Sequence, residues 1–302
     1  MCKLAPGASA LQGVRRPDVP IHSSAFQAKG TRKAERPRGT AHARRVMQVG
    51  SAFAELPGPD HGPSALAEVM GIDVAAVFRV LQSGLDCKHI QRNPSGKYRL
   101  GPSVALMGTQ AMAYALDLAA TRPVLEKLGQ DTGGLVVLSA LVPYGGPGRQ
   151  IVACAGRYGL SALGLGPDDL LSVINSLRVG ASGRVMLAHL PRHLREMALT
   201  QPIPAGAGPG ARRRRSKVAD LETVRRQGYA TGREELNGWD SVAAPVRWDS
   251  ALVGAVSTLR PSALMRADKA QAQHVIAETV AAAERLSELA SGVSTPQIPL
   301  AG

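Results

Sequence analysis

Large apolar residues recur along this chain in more than one rhythm. Val46, Val49, Phe53 and Leu56 stand three or four apart, which predicts a first helix over residues 43–56. The run P-G-P-D-H-G-P at 57–63 ends it. Leu66, Val69 and Met70, then Val77, Val80 and Leu81, repeat the helical rhythm on two short segments. Between them Ala67, Gly71 and Val77 fall at offsets 0, +4 and +10, the spacing of a helix-turn-helix. A small residue is needed where two helices cross closely, a glycine supplies positive φ in the turn, and a β-branched residue packs back from the second helix. The rhythm then changes to alternation. H-I-Q-R (89–92) and K-Y-R-L-G (97–101) flank the turn N-P-S-G, which predicts a hairpin beside the helix pair. Alternation puts Tyr98 and Leu100 on the packed face and turns Lys97 and Arg99 outward. Residues 43–103 therefore read as a winged helix-turn-helix.

The second part of the chain has a different texture. Val104, Met107, Ala111, Tyr114 and Leu118 form an a/d-like seam, either a linker helix over 104–118 that pairs with a second subunit or a helix packed on its own domain. The apolar runs L-V-V-L-S-A-L-V and G-R-Q-I-V-A-C-A around a P-Y-G-G-P-G turn predict one hairpin, and S-V-A-A-P-V-R with A-L-V-G-A-V-S-T-L around W-D-S predicts another. Helices are expected near 181–199 and 217–227. A last amphipathic helix over 267–289 turns Val275, Val280, Ala283 and Leu286 towards the sheet. This order predicts an α+β domain over residues 119–291, an antiparallel sheet flanked by helices. Residues 202–217 read as a flexible loop ending in a basic knot, and 292–302 as a flexible tail.

Charge narrows the partners. The 302 residues carry a net +13, which favours a polyanion, nucleic acid before acidic membrane. Residues 1–42 hold eight Lys or Arg against Asp18 and Glu35, with four prolines and few large apolar groups. They are expected to be a disordered basic arm, either grazing DNA or an unused extension. Cys2, Cys87 and Cys154 are far apart, which suits a reducing cytoplasm and argues against a zinc site or a disulfide framework. There is no run of about 18 apolar residues and no apolar signal segment, so neither membrane nor secretion is expected. Nucleophile-elbow, P-loop and H-E-x-x-H patterns are absent, and Ser182 has no nominated base. An enzyme, a cofactor and a metal are therefore not expected.

The run Asn93-Pro94-Ser95-Gly96-Lys97-Tyr98-Arg99-Leu100-Gly101 after a helix-turn-helix resembles the N-terminal domain of the IclR family of bacterial transcription regulators. A-S-G-R-V-M-L-A-H-L-P (181–191), V-R-R-Q-G-Y-A (224–230), E-E-L-N-G-W-D-S-V-A-A-P-V (234–246) and, more weakly, V-S-T-L-R-P (256–261) are similar to that family's later motifs, in the right order. The resemblance spans about residues 44–290. It implies a GAF-like effector-binding domain, a linker helix that pairs subunits into a homodimer or homotetramer, and operator binding tuned by a small ligand. It also implies that Pro123, in T-R-P-V-L-E-K-L, opens the first helix of the effector domain.

Candidate residues follow. For duplex DNA they are Val74, Ala75, Ala76 and Arg79 on the second helix of the pair, and Arg92, Lys97 and Arg99 on the wing. In the family that helix begins Lys-Ser-Thr, so Val74-Ala75-Ala76 is a departure, as is Gly84 in place of a large apolar residue. The departures favour a second reading, a sensor of the same family with weakened or lost sequence-specific DNA binding. For a small carboxylate effector the candidates are Ala181, Ser182 and Gly183 at a helix start, where unpaired N–H groups hold anions. A plain glycine turn is the competing reading of that start. The resemblance adds Asp240, Ser241 (in place of a cysteine) and Ser257. Gly232-Arg233 stands where the family has an acidic pair, which makes the rim less hostile to an anion.

Overall fold

A computed structural model describes residues 40–143, 146–213 and 218–292. The expected basic arm lies almost wholly outside the described residues, as do the last four residues of the basic knot, 214–217, and nearly all of the tail.

The first helix, α1 (Ala41–Glu55), buries Val49, Ala52 and Phe53, while Val46 faces solvent instead of the core. α2 (Pro63–Met70) starts with proline at a position where a missing N–H is harmless. It ends at Gly71, whose φ of 62° is left-handed and whose N–H caps the Ala67 and Glu68 carbonyls. Two residues later Asp73 caps α3 (Val74–Asp86) by accepting from the Ala76 N–H at 2.8 Å. Ala67 and Val77 are both buried where the helices cross, as their spacing required. Val69 is exposed, so the inner face of α2 is Leu66 and Ala67.

β1 (Ile90–Arg92) and β2 (Tyr98–Leu100) pair antiparallel, with Arg92 opposite Tyr98. Gly96, at φ 80°, closes the turn, and the Asn93 side chain accepts from the Lys97 N–H at 2.9 Å. Tyr98 is buried, accepts from Gln82 through its hydroxyl at 3.2 Å, and exchanges backbone hydrogen bonds with His61. Leu100 is exposed, which corrects its expected packed position; the three-residue strand ends before a second inward side chain is covered. Gly84 has a packing reason: a Cβ there would lie 2.5 Å from Ile90 Cγ1, so a large residue would push β1 off α3.

The linker is not one helix. α4 (Pro102–Ala113) stops, and α5 (Leu118–Thr132) restarts after Asp117, whose carboxylate accepts from the Ala119 and Ala120 N–H groups. The seam is thereby divided, with Leu118 on α5. Because Asp117 sets the start, Pro123 lies inside α5 and not at its opening. Its side is exposed, so water can take the carbonyl it leaves unpaired.

The larger domain is built on β3 (Leu135–Val142) and β4 (Gly148–Gly156), then α6 (Pro167–Asn175), α7 (Gly180–His189), α8 (Arg192–Thr200), α9 (Pro209–Arg213) and α10 (Val218–Gln227). It continues with β5 (Ala230–Leu236), β6 (Trp239–Trp248), β7 (Ala251–Pro261), α11 (Ser262–Ala267) and α12 (Lys269–Ser291). The five strands form one antiparallel sheet in the order β4-β3-β7-β6-β5. Both expected hairpins are present. One face packs Val136, Leu138, Ala244, Val246 and Val256 against α5 and α12. The other packs Ala230, Ala243 and Ala255 against α7, a helix whose first nine residues are all buried. Residues 202–213 are more ordered than expected: α9 lies against β5, and Gly208 donates to the Glu235 carbonyl at 2.8 Å. Among the described residues no helix is long and apolar enough to cross a membrane.

Candidate functional site

The outer surface of α3 and the hairpin behind it form the first candidate surface. A helix advances 100° per residue, so Val74, Ala75 and Arg79 are exposed while Ala76 turns inward and is buried. Ala76 is therefore a core residue and not a surface contact. Phe78, which the sequence reading passed over, is exposed between Ala75 and Arg79. Lys97 and Arg92 are exposed on the hairpin, with the Arg92 guanidinium 5.7 Å from the Tyr98 ring centre. Arg99 does not point free. It makes a two-pronged ion pair with Asp60, at 2.7 and 2.8 Å, and this pair holds the Asp60 carboxyl below its usual range.

The second candidate site lies between the sheet and α7. It is a compact cavity of about 40 Å³ bordered by Ser139, Arg149, Ala181, Ser182, Ser241 and Ser257 among apolar neighbours such as Ile151 and Leu163. One enclosed water needs roughly 10–15 Å³ on this measure, so the space suits about three water-sized groups. Ser241 accepts from the Ala181 N–H at 3.4 Å, and Ser257 donates to the Val137 carbonyl at 3.3 Å. Four of the six expected effector residues thus converge here.

Two do not. Gly183, the residue after Ser182, sits where a Cβ would lie 2.4 Å from the Leu177 carbonyl oxygen, so its role is close packing. Asp240 precedes Ser241 on β6 and points through the opposite face of the sheet. There it accepts from Ser262, from Arg266 and from the Glu234 N–H. Burial alone would raise its carboxyl, but these donors outweigh burial and hold it below its usual range. Arg233 is exposed and does not border the cavity, and Gly232 is small because a Cβ there would meet Ser241 Oγ at 2.5 Å.

The strongest electrostatics come from residues the sequence reading did not nominate. Glu235, buried on β5, accepts from the Gly180 N–H at 2.7 Å and pairs with the buried Arg184. The start of α7 is therefore already met by a carboxylate of the chain itself. Arg149, buried on β4, donates to the Ile174 and Val173 carbonyls at the end of α6, at 2.6 and 3.1 Å, and to Ser182 Oγ at 2.5 Å. Among the described residues no carboxylate is in ion-pair contact with it. Burial pulls its guanidinium down to about 10, with Glu235 opposing and Arg184 adding to the effect. Near neutral pH it is still a cation, so Arg149, Arg184 and Glu235 together leave one buried positive charge.

Residues 174–288 match the family described as bacterial transcriptional regulator IclR, C-terminal. Over these residues the chain is similar to an IclR C-terminal domain. The match takes in α7, Glu235, Ser241 and Ser257, while Arg149 and the β3–β4 hairpin lie before it. Similar solved structures include a candidate IclR transcriptional regulator from Silicibacter sp. TM1040, with 23% identity, 84% of this chain and 99% of that chain covered, and a TM-score of 0.48. The IclR of Thermotoga maritima has 16% identity, covers 82% and 98%, and has a TM-score of 0.47. The C-terminal domain of a candidate transcriptional regulator from Vibrio cholerae has 28% identity, covers 56% and 96%, and has a TM-score of 0.43. No curated protein sequence matches the chain. The matched residues thus take in the last strand, β7, most of α12 and the buried Arg184, while the buried Arg149 stands outside them.

Proposed function

We propose that this protein is a DNA-binding transcription regulator whose operator affinity is set by a small organic anion bound in the α7 cavity. The observation that carries the effector half is Arg149, a buried cation bordering a small, mainly apolar cavity, with no carboxylate against it among the described residues. Burying an uncompensated charge costs several kcal/mol, and a monocarboxylate on Arg149, Ser182 and Ser241 would offset that cost. Helix-turn-helix geometry, an exposed basic hairpin and the net charge support the DNA half. Pairing through the exposed apolar side of α4 would give the dimer that a symmetric operator requires.

The ion pair that occupies Arg99, and an α3 surface with no Lys, Ser or Thr in its first turn, favour a second reading: a sensor that no longer binds DNA specifically. One experiment separates the two and tests the effector. The full chain is titrated against duplex from upstream of its own coding region, by fluorescence anisotropy, with and without acetate, lactate and pyruvate. The same acids are screened by thermal melt. An acid present at 100 times its Kd adds about 2.7 kcal/mol, a rise of roughly 5–11 °C for a body of this size. Arg149→Gln should lose that rise. A melt shift that survives Arg149→Gln would overturn the assignment of the cavity. Duplex binding that is equally weak for all sequences would favour the second reading.

A further inference from the structure

The outward face of α3 is apolar where a groove-reading helix usually carries hydrogen-bonding groups. Val74 and Phe78 are each 46% exposed, and Ala75 and Arg79 are exposed with them. The opposite side of the same helix, Ala76, Val77, Val80 and Leu81, is buried in the domain's own core, so the outer groups are not part of that packing. These four outer residues are the first, second, fifth and sixth of the helix, the N-terminal portion that the second helix of a helix-turn-helix presents to base edges. No acid lies among these four residues: Asp73 caps the helix beside Val74, its carboxylate accepting from the Ala76 N–H, and Asp86 is in the last turn. Arg79 stands on the patch, and the exposed Arg92 and Lys97 stand on the hairpin that follows. A second copy of this basic chain would meet like charge there, whereas a duplex neutralises it.

We propose that this face reads thymine. Val74, Ala75 and Phe78 pack against thymine C5-methyl groups in the major groove, and Arg79 supplies the contact to a guanine edge. Among the four bases only thymine offers an apolar group in that groove, so side chains without donors or acceptors can still discriminate there. The helix rises 1.5 Å per residue, which puts Val74 and Phe78 about 6 Å apart along the axis, close to two base-pair steps of about 3.4 Å. The contacts then cover about two or three consecutive base pairs in each half-site.

The proposal rests on the DNA-binding reading, and its test keeps the two apart. Duplexes bound by the full chain are selected from a random pool. Each thymine in the selected site is then replaced by deoxyuridine, which removes the methyl group alone. At the contacted positions affinity should fall about fourfold per methyl, the worth of one buried methylene-sized group. The salt slope should not change, because phosphate contacts are untouched. Phe78→Ala should bind the thymine duplex more weakly and no longer distinguish it from the deoxyuridine duplex, while keeping a cooperative melt that shows it folds. Val74→Ser serves as a second, independent variant. Tight, salt-dependent binding with equal affinity for thymine and deoxyuridine would overturn this proposal and leave the DNA-binding reading standing. A thymine preference that survives both substitutions would overturn it too. Failure of the pool to yield any bound duplex would remove both readings, and loss of self-association in Phe78→Ala would assign the patch to a second copy.

Discussion

Replacing Glu235 by glutamine tests the electrostatics at the start of α7. The Arg184 and Glu235 side chains are 2% and 3% exposed, and the second Glu235 oxygen takes the Gly180 N–H at 2.7 Å. Glutamine has nearly the same shape but one acceptor oxygen, and its amide would turn a donor towards another donor. Arg184 and Arg149 would then both be buried with no negative charge between them. Unit charges about 4 Å apart attract by about 4 kcal/mol at an effective dielectric constant near 20. Breaking a buried pair from one side costs about 3–5 kcal/mol. For a body of 150–250 residues each kcal/mol moves Tm by about 2–4 °C. Calorimetry at neutral pH should therefore show Glu235→Gln melting roughly 6–20 °C below the parent. Arg184→Met with Glu235→Leu removes both charges and should recover much of the loss. Small monocarboxylates should stabilise Glu235→Gln more than the parent, since it has one more unmatched positive charge. A Glu235→Gln melt within about 2 °C of the parent, or a double variant no better than the single one, would refute the reasoning.

Three further outcomes are expected. Leu106 and Met107 are 71% and 59% exposed on α4, so Met107→Glu should shift a dimer or tetramer towards monomer in sedimentation velocity, and an unchanged oligomer would rule out that face. Asp240 is held below its ordinary 3.8. The stability it contributes is present above that value and is lost as pH falls through its lower folded value. Asp240→Asn should thus be less stable than the parent at neutral pH, and the difference should shrink as pH falls below 3.8 in urea unfolding; parallel curves would contradict the ion-pair assignment. Gly71→Ala places a side chain at φ 62° and should cost about 1 kcal/mol in the same assay, with a null result placing the turn elsewhere.

What was legible in the sequence is what local spacing encodes. Ala67, Gly71 and Val77 defined the helix pair because crossing distance and turn chirality act over ten residues. Tyr98 was legible through strand alternation, and the two central hairpins through continuous apolar runs. Errors arose where a block of residues was read as a unit. Val74-Ala75-Ala76 is split by helical rotation, and Asp240 and Ser241 by strand alternation, so both divisions were available in the sequence. The resemblance places Pro123 at a helix start, whereas Asp117 caps the helix six residues upstream. β5 escaped because T-G-R-E-E has little strand character, and with it went Glu235. Arg149 had no local signal. Its partners Val173, Ile174 and Ser182 lie 24 to 33 residues away, and only the folded sheet brings them together.

The way α9 lies on β5 bears on how this protein stays dispersed. β5 is an outermost strand, and such strands expose backbone groups that can recruit a strand from another molecule. Here Gly208 donates to the Glu235 carbonyl, and Gly210 lets the helix approach so closely that a Cβ would lie 1.8 Å from the Arg233 carbonyl oxygen. The segment is a clasp over the open side of the sheet, and its two glycines are what let it close. Any side chain at Gly210 would lift the clasp, and the first symptom would be strand-to-strand aggregation at working concentration.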